Sequence, residues 1–369
     1  MKICFAGDFV NSNDTIKKFF SEELTNMFLS HDLFICNLEG PILNNNLVKI
    51  SKKGPSISQS KKVTDVLKQF KTVVCLANNH IMDYGKKGLF STIEALEKNH
   101  ISYMGANLES DVYHPFVIEK EKIAIFNVCE SGFGMENNRK NGYAIFNTKY
   151  FFDKIQRYKK KGYLVIILPH AGAENLEYPL PEIRDLYKLY VDLGADLVIG
   201  NHPHIVQGKE IYKHKHIYYS LGNLYFNDYK DKVELYNPSS LLLSININDG
   251  QIKIDHFFTR INNQIIDIDN RVIVYDQFKN ISKLLLSENE YVRIINKHCH
   301  KLFDTLYSSY INYESDLYLN TIRSRIKSII KILFNQNKID KGWIIHNSIN
   351  ETNRWIISRV IKENYHENL

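Results

Sequence analysis

The sequence predicts an α/β protein, and three observations predict it. Short apolar, β-branched runs alternate with amphipathic stretches of helical period over the first 270 residues. Many of those runs end in a carboxylate, amide or imidazole beside Gly or Pro, where a strand gives way to a loop. The third is Ala195–Ile199, a short buried-strand pattern closed by Gly200-Asn201-His202-Pro203-His204. Two histidines one residue apart on extended backbone point to the same side. Pro203 between them cannot donate a ladder hydrogen bond, so the pair is expected where the strand has left the sheet. Paired imidazoles at such a place suit a metal site as well as an ordinary loop.

Composition narrows the class. A chain of 369 residues with 44% hydrophobic and 24% charged residues holds one large domain with an appendage, or two domains. The net charge of +6 is mild, and the first two thirds carry no basic run of the kind that tracks nucleic acid. Cys4, Cys36, Cys75, Cys129 and Cys299 are widely scattered, four of them in strand-like runs, and no CxxC spacing occurs. They read as buried thiols in a reducing compartment. The opening residues Met1–Asp8 lack the apolar core of about 7–15 residues that a signal peptide needs. No apolar stretch approaches the roughly 20 residues of a membrane span. A cytoplasmic protein is expected.

The elements follow in order. Lys2–Ala6 reads as a strand ending in Gly7-Asp8, and Thr15–Phe28 as a helix. Asp32–Cys36 is a second strand, running into Asn37-Leu38-Glu39-Gly40-Pro41. Lys61–Phe70 is a short amphipathic helix, and Thr72–Ala77 a third strand ending in Asn78-Asn79-His80-Ile81-Met82-Asp83. An amide, an imidazole and a carboxylate after a buried strand are costly unless paired. Gly88–Asn99 is a helix, Ile101–Gly105 a returning strand, and Pro115–Lys120 and Lys122–Val128 a strand pair. Ser131–Asn141, rich in Gly and Asn, is a loop, and Phe151–Lys161 a helix. Tyr163–Leu168 is the clearest buried strand and runs into Pro169-His170-Ala171-Gly172-Ala173-Glu174. Ile183–Leu193 is helical, Ile217–Asn223 another strand, and Leu241–Ile247 with Ile252–Phe258 a hairpin.

Asp8, Glu39, Asn79, His170, His202 and His204 thus all follow strand-like runs. Carboxylate oxygens mixed with imidazoles, without thiolate, suit Mn, Fe, Zn or Mg better than a structural zinc cage. Six such groups exceed what one metal needs, which points to two divalent ions sharing a carboxylate.

In this order the motifs resemble the CapA-like proteins of poly-γ-glutamate capsule biosynthesis, a branch of the calcineurin-like metallophosphoesterase superfamily. They are Gly7-Asp8, Asn37-Leu38-Glu39-Gly40-Pro41, Leu76-Ala77-Asn78-Asn79-His80, His170-Ala171-Gly172-Ala173-Glu174, Gly200-Asn201-His202-Pro203-His204 and Tyr219-Ser220-Leu221-Gly222-Asn223. The resemblance covers roughly residues 2–260. It implies a four-layer αββα sandwich with the metal centre on the loops at the strand ends. By that pattern Asp8 and His204 hold one metal, Asn79, His170 and His202 the other, and Glu39 bridges them. His80 is implied as the catalytic histidine that assists the leaving group, and Asp83 and Glu174 as carboxylates that orient imidazoles. Asn37, Asn78 and Asn223 of the same motifs are expected at the substrate. Two departures stand out. Val10 occupies the position of the superfamily's usual histidine, and Glu39 that of its bridging aspartate.

The reading for residues 1–270 is therefore a metal-dependent hydrolase-like domain acting in capsule or surface-polymer biosynthesis. Its metal-activated water would attack a phosphoester or a γ-glutamyl-type amide. The rival is a non-catalytic assembly factor that keeps the fold. Nucleic acid is not expected as a partner. Residues 271–369 form a helical C-terminal region outside the resemblance. Ile322, Ile326, Ile329, Ile330 and Leu333 make an apolar stripe, with Arg323, Lys327 and Lys331 on another face. Trp343, Trp355, Ile356, Ile357, Val360 and Ile361 follow. This region reads as a packed appendage, or as a surface for a peripheral membrane contact or a protein partner.

Overall fold

The computed structural model describes residues 1–12, 18–44, 47–52, 54–132, 141–146, 148–227, 239–248, 250–262, 264–304 and 348–366. The first strands and helices are β1 (Lys2–Val10), α1 (Glu22–Leu29), β2 (Leu33–Leu38), α2 (Val63–Leu67), β3 (Thr72–Cys75), α3 (Gly85–Lys98) and β4 (Ser102–Met104). They are followed by β5 (Ala106–Asn107), β6 (Phe116–Ile118), β7 (Ile123–Cys129), β8 (Gly142–Tyr143), α4 (Lys149–Lys160), β9 (Leu164–His170), α5 (Pro181–Leu193) and β10 (Leu197–Ile199). Then come β11 (Lys209–Tyr212), β12 (Lys215–Tyr218), β13 (Asn223–Phe226), β14 (Ser240–Asn248), β15 (Gln251–Asn262), β16 (Ile265–Ile268), α6 (Val272–Leu284), α7 (Glu288–Leu302) and α8 (Glu351–His366).

Two mixed sheets result, and β5 and β8 pair as a separate antiparallel ribbon. One has the order β16-β15-β14-β1-β2-β3-β4, with β13 also paired to β1; the other has the order β11-β12-β10-β9-β7-β6. β1 through β4 run parallel, as do β7, β9, β10 and β12. Each parallel set therefore delivers its strand C-termini to one end of its sheet.

Alternation along the strands builds the layers. Ile3, Phe5, Ile35, Val73 and Cys75 face inward and meet Ile125, Ile166, Leu168, Leu197 and Ile199 of the second sheet in one buried cluster. The intervening Cys4, Phe34, Cys36 and Val74 face outward onto Leu24 and Phe28 of α1, Leu67 of α2 and Leu89 and Leu96 of α3. Phe28 and Phe34 lie with ring centroids 4.4 Å apart; burying either ring is worth about 1.5–3 kcal/mol. On the far side of the second sheet, Phe126 meets Phe151 of α4, and Tyr219 stacks on Tyr187 of α5. The order helix, sheet, sheet, helix is the expected four-layer sandwich.

Several expectations are corrected in detail. β1 does not stop at Ala6. It continues through Asp8 to Val10, with its register against β2 and β13 shifting around Asp8, a bulge that aims the carboxylate. α1 begins at Glu22 because Ser21 caps it, its hydroxyl accepting from Leu24 N–H at 3.2 Å, while Phe20 bridges to Ile266. Ile217–Asn223 is not one strand: β12 ends at Tyr218, and Asn223 opens β13 on the other sheet. The paired strands β6 and β7, the hairpin β14–β15 and the helices α3 to α5 fall where the pattern puts them, within a few residues. All five cysteines are buried thiols outside any disulfide.

The chain divides into two compact units. One comprises residues 1–51 and 55–288; the other comprises residues 52–54 and 289–369. In the second, Ile356 and Val360 of α8 are buried. The stripe from Ile322 to Leu333, its Arg323, Lys327 and Lys331, Trp343, residues 15–17 of the first predicted helix and most of the Ser131–Asn141 loop lie outside the described residues. Among the described residues, no helix is long and apolar enough to cross a membrane.

Candidate metal centre

The six predicted ligands converge where the C-terminal ends of the two parallel sets meet. Asp8 lies in the β1 bulge, Glu39 directly after β2, Asn79 after β3, His170 at the end of β9, and His202 and His204 after β10. Two glycines permit the approach. A Cβ on Gly7 would stand 1.7 Å from Gly222 O, and one on Gly200 2.1 Å from Tyr219 O. The His202–His204 pair is not on extended backbone, which corrects the sequence expectation. Both residues have positive φ, 100° and 62°, so the loop folds back on itself and brings the rings to a centroid distance of 5.7 Å. Left-handed backbone at two non-glycine residues costs about 1–3 kcal/mol each and clusters at functional sites.

Glu39 is the hinge of the arrangement. It is fully buried, and neither carboxylate oxygen has a hydrogen-bond partner. Oε1 lies 3.7 Å from His170 Nε2 and 3.9 Å from His80 Nε2, whereas Oε2 lies 4.0 Å from His204 Nδ1. On the Oε1 side, His170 Nε2 is 3.0 Å from Asn79 Oδ1 and 3.1 Å from His202 Nδ1. On the Oε2 side, His204 Nδ1 is 3.4 Å from Asp8 Oδ2. Glu39, His170 and His202 thus form one triplet able to hold a metal ion, and Asp8, Glu39 and His204 a second. A third triplet of Glu174, His202 and His204 lies beside them, with Glu174 exposed.

The electrostatics fit a divalent cation. Burial pushes the Glu39 carboxyl well above its usual range; His204 opposes this, and the Asp8, Glu174 and Asp83 carboxylates reinforce it. Burial holds His170 well below the ordinary imidazole value and His202 down at about 4, so both offer the neutral form that ligates metal. Burial would lower His204 too, but Glu39 and Asp8 outweigh it and raise it to about 10. A buried carboxylate whose two bare oxygens face two imidazole groups is what a bridging ligand requires, so these residues fit a pair of divalent metals.

The supporting residues divide by position. His80 Nδ1 is 2.7 Å from Asp83 Oδ2, which also accepts from Ile57 N–H at 2.8 Å. That contact turns Nε2 toward Glu39. Asn37 Nδ2 donates to Asp8 Oδ1 at 2.8 Å and lies 3.2 Å from His170 Nδ1, tying the two sheets together beneath the centre. Asn78 is buried, donates to Leu38 O and Asn37 Oδ1, and accepts from Gly40 and His80 N–H. Of the three asparagines expected at the substrate, Asn37 and Asn78 are therefore directed inward. Asn223 is half-buried, its Oδ1 2.9 Å from His204 Nδ1. Val10 is fully buried and offers no ligand to the Asp8 triplet.

One residue of the cluster escapes the sequence reading. Glu130 directly follows β7, is 2% exposed, and places Oε1 3.6 Å from His202 Nε2. The signal that marks Asp8 and Glu39, an acid at the end of a buried strand, is present at Val128-Cys129-Glu130 as well.

A two-sheet sandwich with carboxylates and imidazoles gathered at its strand ends defines an α/β class of protein with a candidate metal centre. Within that class, residues 2–228 match the family model described as "Bacterial capsule synthesis protein PGA_cap", and the chain belongs to this family. It is 30% identical over 209 residues to the PGA biosynthesis protein CapA of Bacillus subtilis (strain 168), covering 54% of this chain and 55% of the relative. It is 33% identical over 207 residues to the capsule biosynthesis protein CapA of Bacillus anthracis, covering 52% of this chain and 49% of the relative. The chain thus spans about half the length of the curated relatives it matches. Among solved structures, TT1561 of Thermus thermophilus overlaps 69% of this chain and 97% of its own at 11% identity and a TM-score of 0.35, and carries no further weight.

Proposed function

We propose that this chain is a divalent-metal-dependent hydrolase of capsule or surface-polymer biosynthesis, acting on a phosphoester or a γ-glutamyl-type amide. Glu39 carries the reading: a fully buried carboxylate has both oxygens bare, and each faces a different imidazole group. Asp8, Glu39 and His204 would hold one metal, and Glu39, Asn79, His170 and His202 the other. Such a pair, when bound, supplies Lewis acidity and a water acidified toward neutral pH.

The remaining steps belong to the chain's own side chains. Asp83 fixes the His80 ring through Nδ1, so that Nε2 gives or takes the proton of the leaving group at the centre. Asn37 holds Asp8 and His170 in register, and the exposed Glu174 stands at the rim, beside His202 and His204. Asn223 is the asparagine placed to meet substrate. We assign residues 1–270 to this hydrolase-like domain, and residues 271–369 to a helical region that docks to a membrane surface or a protein partner. We place the protein in the cytoplasm, without a nucleic-acid partner.

A second reading, a non-catalytic assembly factor of capsule synthesis, is favoured by Val10. Its burial leaves the Asp8 triplet one donor short of the superfamily pattern.

Elemental analysis of protein purified without chelator separates the two. The expected result is near two equivalents of transition metal, reduced in Asp8→Ala and His202→Ala. Those variants should also lose hydrolysis of bis(p-nitrophenyl) phosphate or γ-glutamyl-p-nitroanilide. A metal-free, well-folded wild type, inert toward both substrates, would overturn the hydrolase and leave the assembly factor.

A further inference from the structure

We infer that Glu130 is the positioning residue of His202: its buried side chain faces imidazole Nε2, holds the N–H at that edge of the ring, and leaves Nδ1 for the metal centre. The inference deepens the metal-dependent reading and rests on it.

The N–H of Glu130 donates to His170 O at 3.2 Å, which fixes the residue to the end of β9. Oε2 accepts from Gly172 N–H at 3.4 Å, in the turn that follows. Oε1 lies 3.6 Å from His202 Nε2, in a setting where both side chains are at most 5% exposed. The opposite edge of the ring looks the other way: His202 Nδ1 is 3.1 Å from His170 Nε2, on the Oε1 side of Glu39.

A neutral imidazole has one N–H and one lone pair, so the partner of one nitrogen decides what the other can do. A carboxylate facing Nε2 favours the proton on that nitrogen, which would leave the lone pair on Nδ1. The same device serves His80 with its atoms exchanged. Asp83 holds Nδ1 at 2.7 Å and turns Nε2 toward Glu39. Two carboxylate–imidazole pairs thus approach Glu39, one from the loop after β3 and one from β7 and β10. Outer carboxylates of this kind raise the basicity of the ligating nitrogen, and removing one commonly weakens metal binding about 10–100-fold.

Two variants and two readouts test the assignment. Glu130→Met keeps roughly the side-chain volume and removes the acceptor, whereas Glu130→Gln keeps an acceptor oxygen without the charge. Mn²⁺ affinity is read by calorimetry. The His202 tautomer is read by long-range ¹H–¹⁵N NMR of the imidazoles in metal-free protein, with His202→Gln identifying its signals. Expected is an Nε2–H tautomer for His202 in the wild type, retained in Glu130→Gln and lost in Glu130→Met. The Mn²⁺ affinity of Glu130→Met should fall about 10–100-fold, with Glu130→Gln between it and wild type. A residue that merely anchored the Gly172 turn would not move the tautomer. An Nδ1–H tautomer in the wild type, or Mn²⁺ affinity in Glu130→Met within twofold of wild type, would overturn the assignment. Should the wild type take up no Mn²⁺ at all, the metal-dependent reading fails. The tautomer then still decides the role of Glu130: Nε2–H upholds the pairing and Nδ1–H overturns it.

Discussion

Glu39 shows how one side chain can be unfavourable for folding and still be placed by the fold. Burying a carboxylate with neither oxygen hydrogen-bonded costs roughly 1–3 kcal/mol or more, and nothing among the described residues offsets it by hydrogen bonding. Glu39→Gln should remove both metal equivalents, because each triplet shares Glu39, whereas Asn79→Ala should touch only the His170–His202 side. Retention of one full equivalent in Glu39→Gln would contradict the bridging role. Glu39 and Asp8 are legible from sequence because each acid follows an apolar run. Glu130 obeys the same rule, but no companion motif draws attention to it.

At the level of elements, the strand and helix pattern is readable because both sheets bury one or both faces, and burial writes periodicity into sequence. What the pattern does not reveal is where a strand continues through a turn-like signal. Gly7 looks like a strand end, yet it is needed because Gly222 O approaches too closely for any Cβ, and β1 runs on to Val10. The left-handed turns at His202 and His204 are equally hidden. Positive φ is uncommon outside glycine, and contacts such as the His202 N–H to Asp8 and the Asn175 N–H to Pro203 O hold the loop there. A more local device links β16 to α6. Asp269 accepts from Arg271 Nε at 2.8 Å and Nη2 at 2.6 Å, and from Ser239 Oγ at 2.6 Å. The Arg271 guanidinium outweighs burial and holds the Asp269 carboxyl down at about 2, against about 3.9 in an unfolded chain. A depressed carboxylate stabilises the fold above the unfolded value and loses that contribution as pH falls through the folded one. The urea midpoint should accordingly decline between about pH 4 and pH 2, more steeply in wild type than in Asp269→Asn. Parallel profiles for the two proteins would remove Asp269 from the account.

Across the sandwich, the centre is one of the places where polar contacts join the two sheets. Asn37 on β2 reaches His170 on β9, and the His202 N–H after β10 donates to Asp8 on β1 at 3.3 Å. Sheet one is also completed from beyond the family-matched residues 2–228, since β14 pairs with β1 from Lys2 to Phe5. The strand carrying Asp8 is thus held between a motif-bearing neighbour and a hairpin that carries no motif. Side chains as far apart in sequence as Asp8 and His204 come together only in the folded chain, so a divalent ion held by them would bind the native state and not the unfolded one. Binding of that kind stabilises by mass action, about 2.7 kcal/mol at a hundredfold excess over Kd. Mn²⁺ added to chelator-stripped protein is therefore expected to raise Tm progressively with concentration, and EDTA to reverse the gain. Glu39→Gln should flatten the response, since both triplets share Glu39, and Asp8→Ala should diminish it, while Asp269→Asn, outside the centre, should leave the increment intact. A Tm that ignores Mn²⁺ in the wild type, or rises equally in Glu39→Gln, would mean that the strand-end cluster is held together by its own hydrogen bonds and not by a metal.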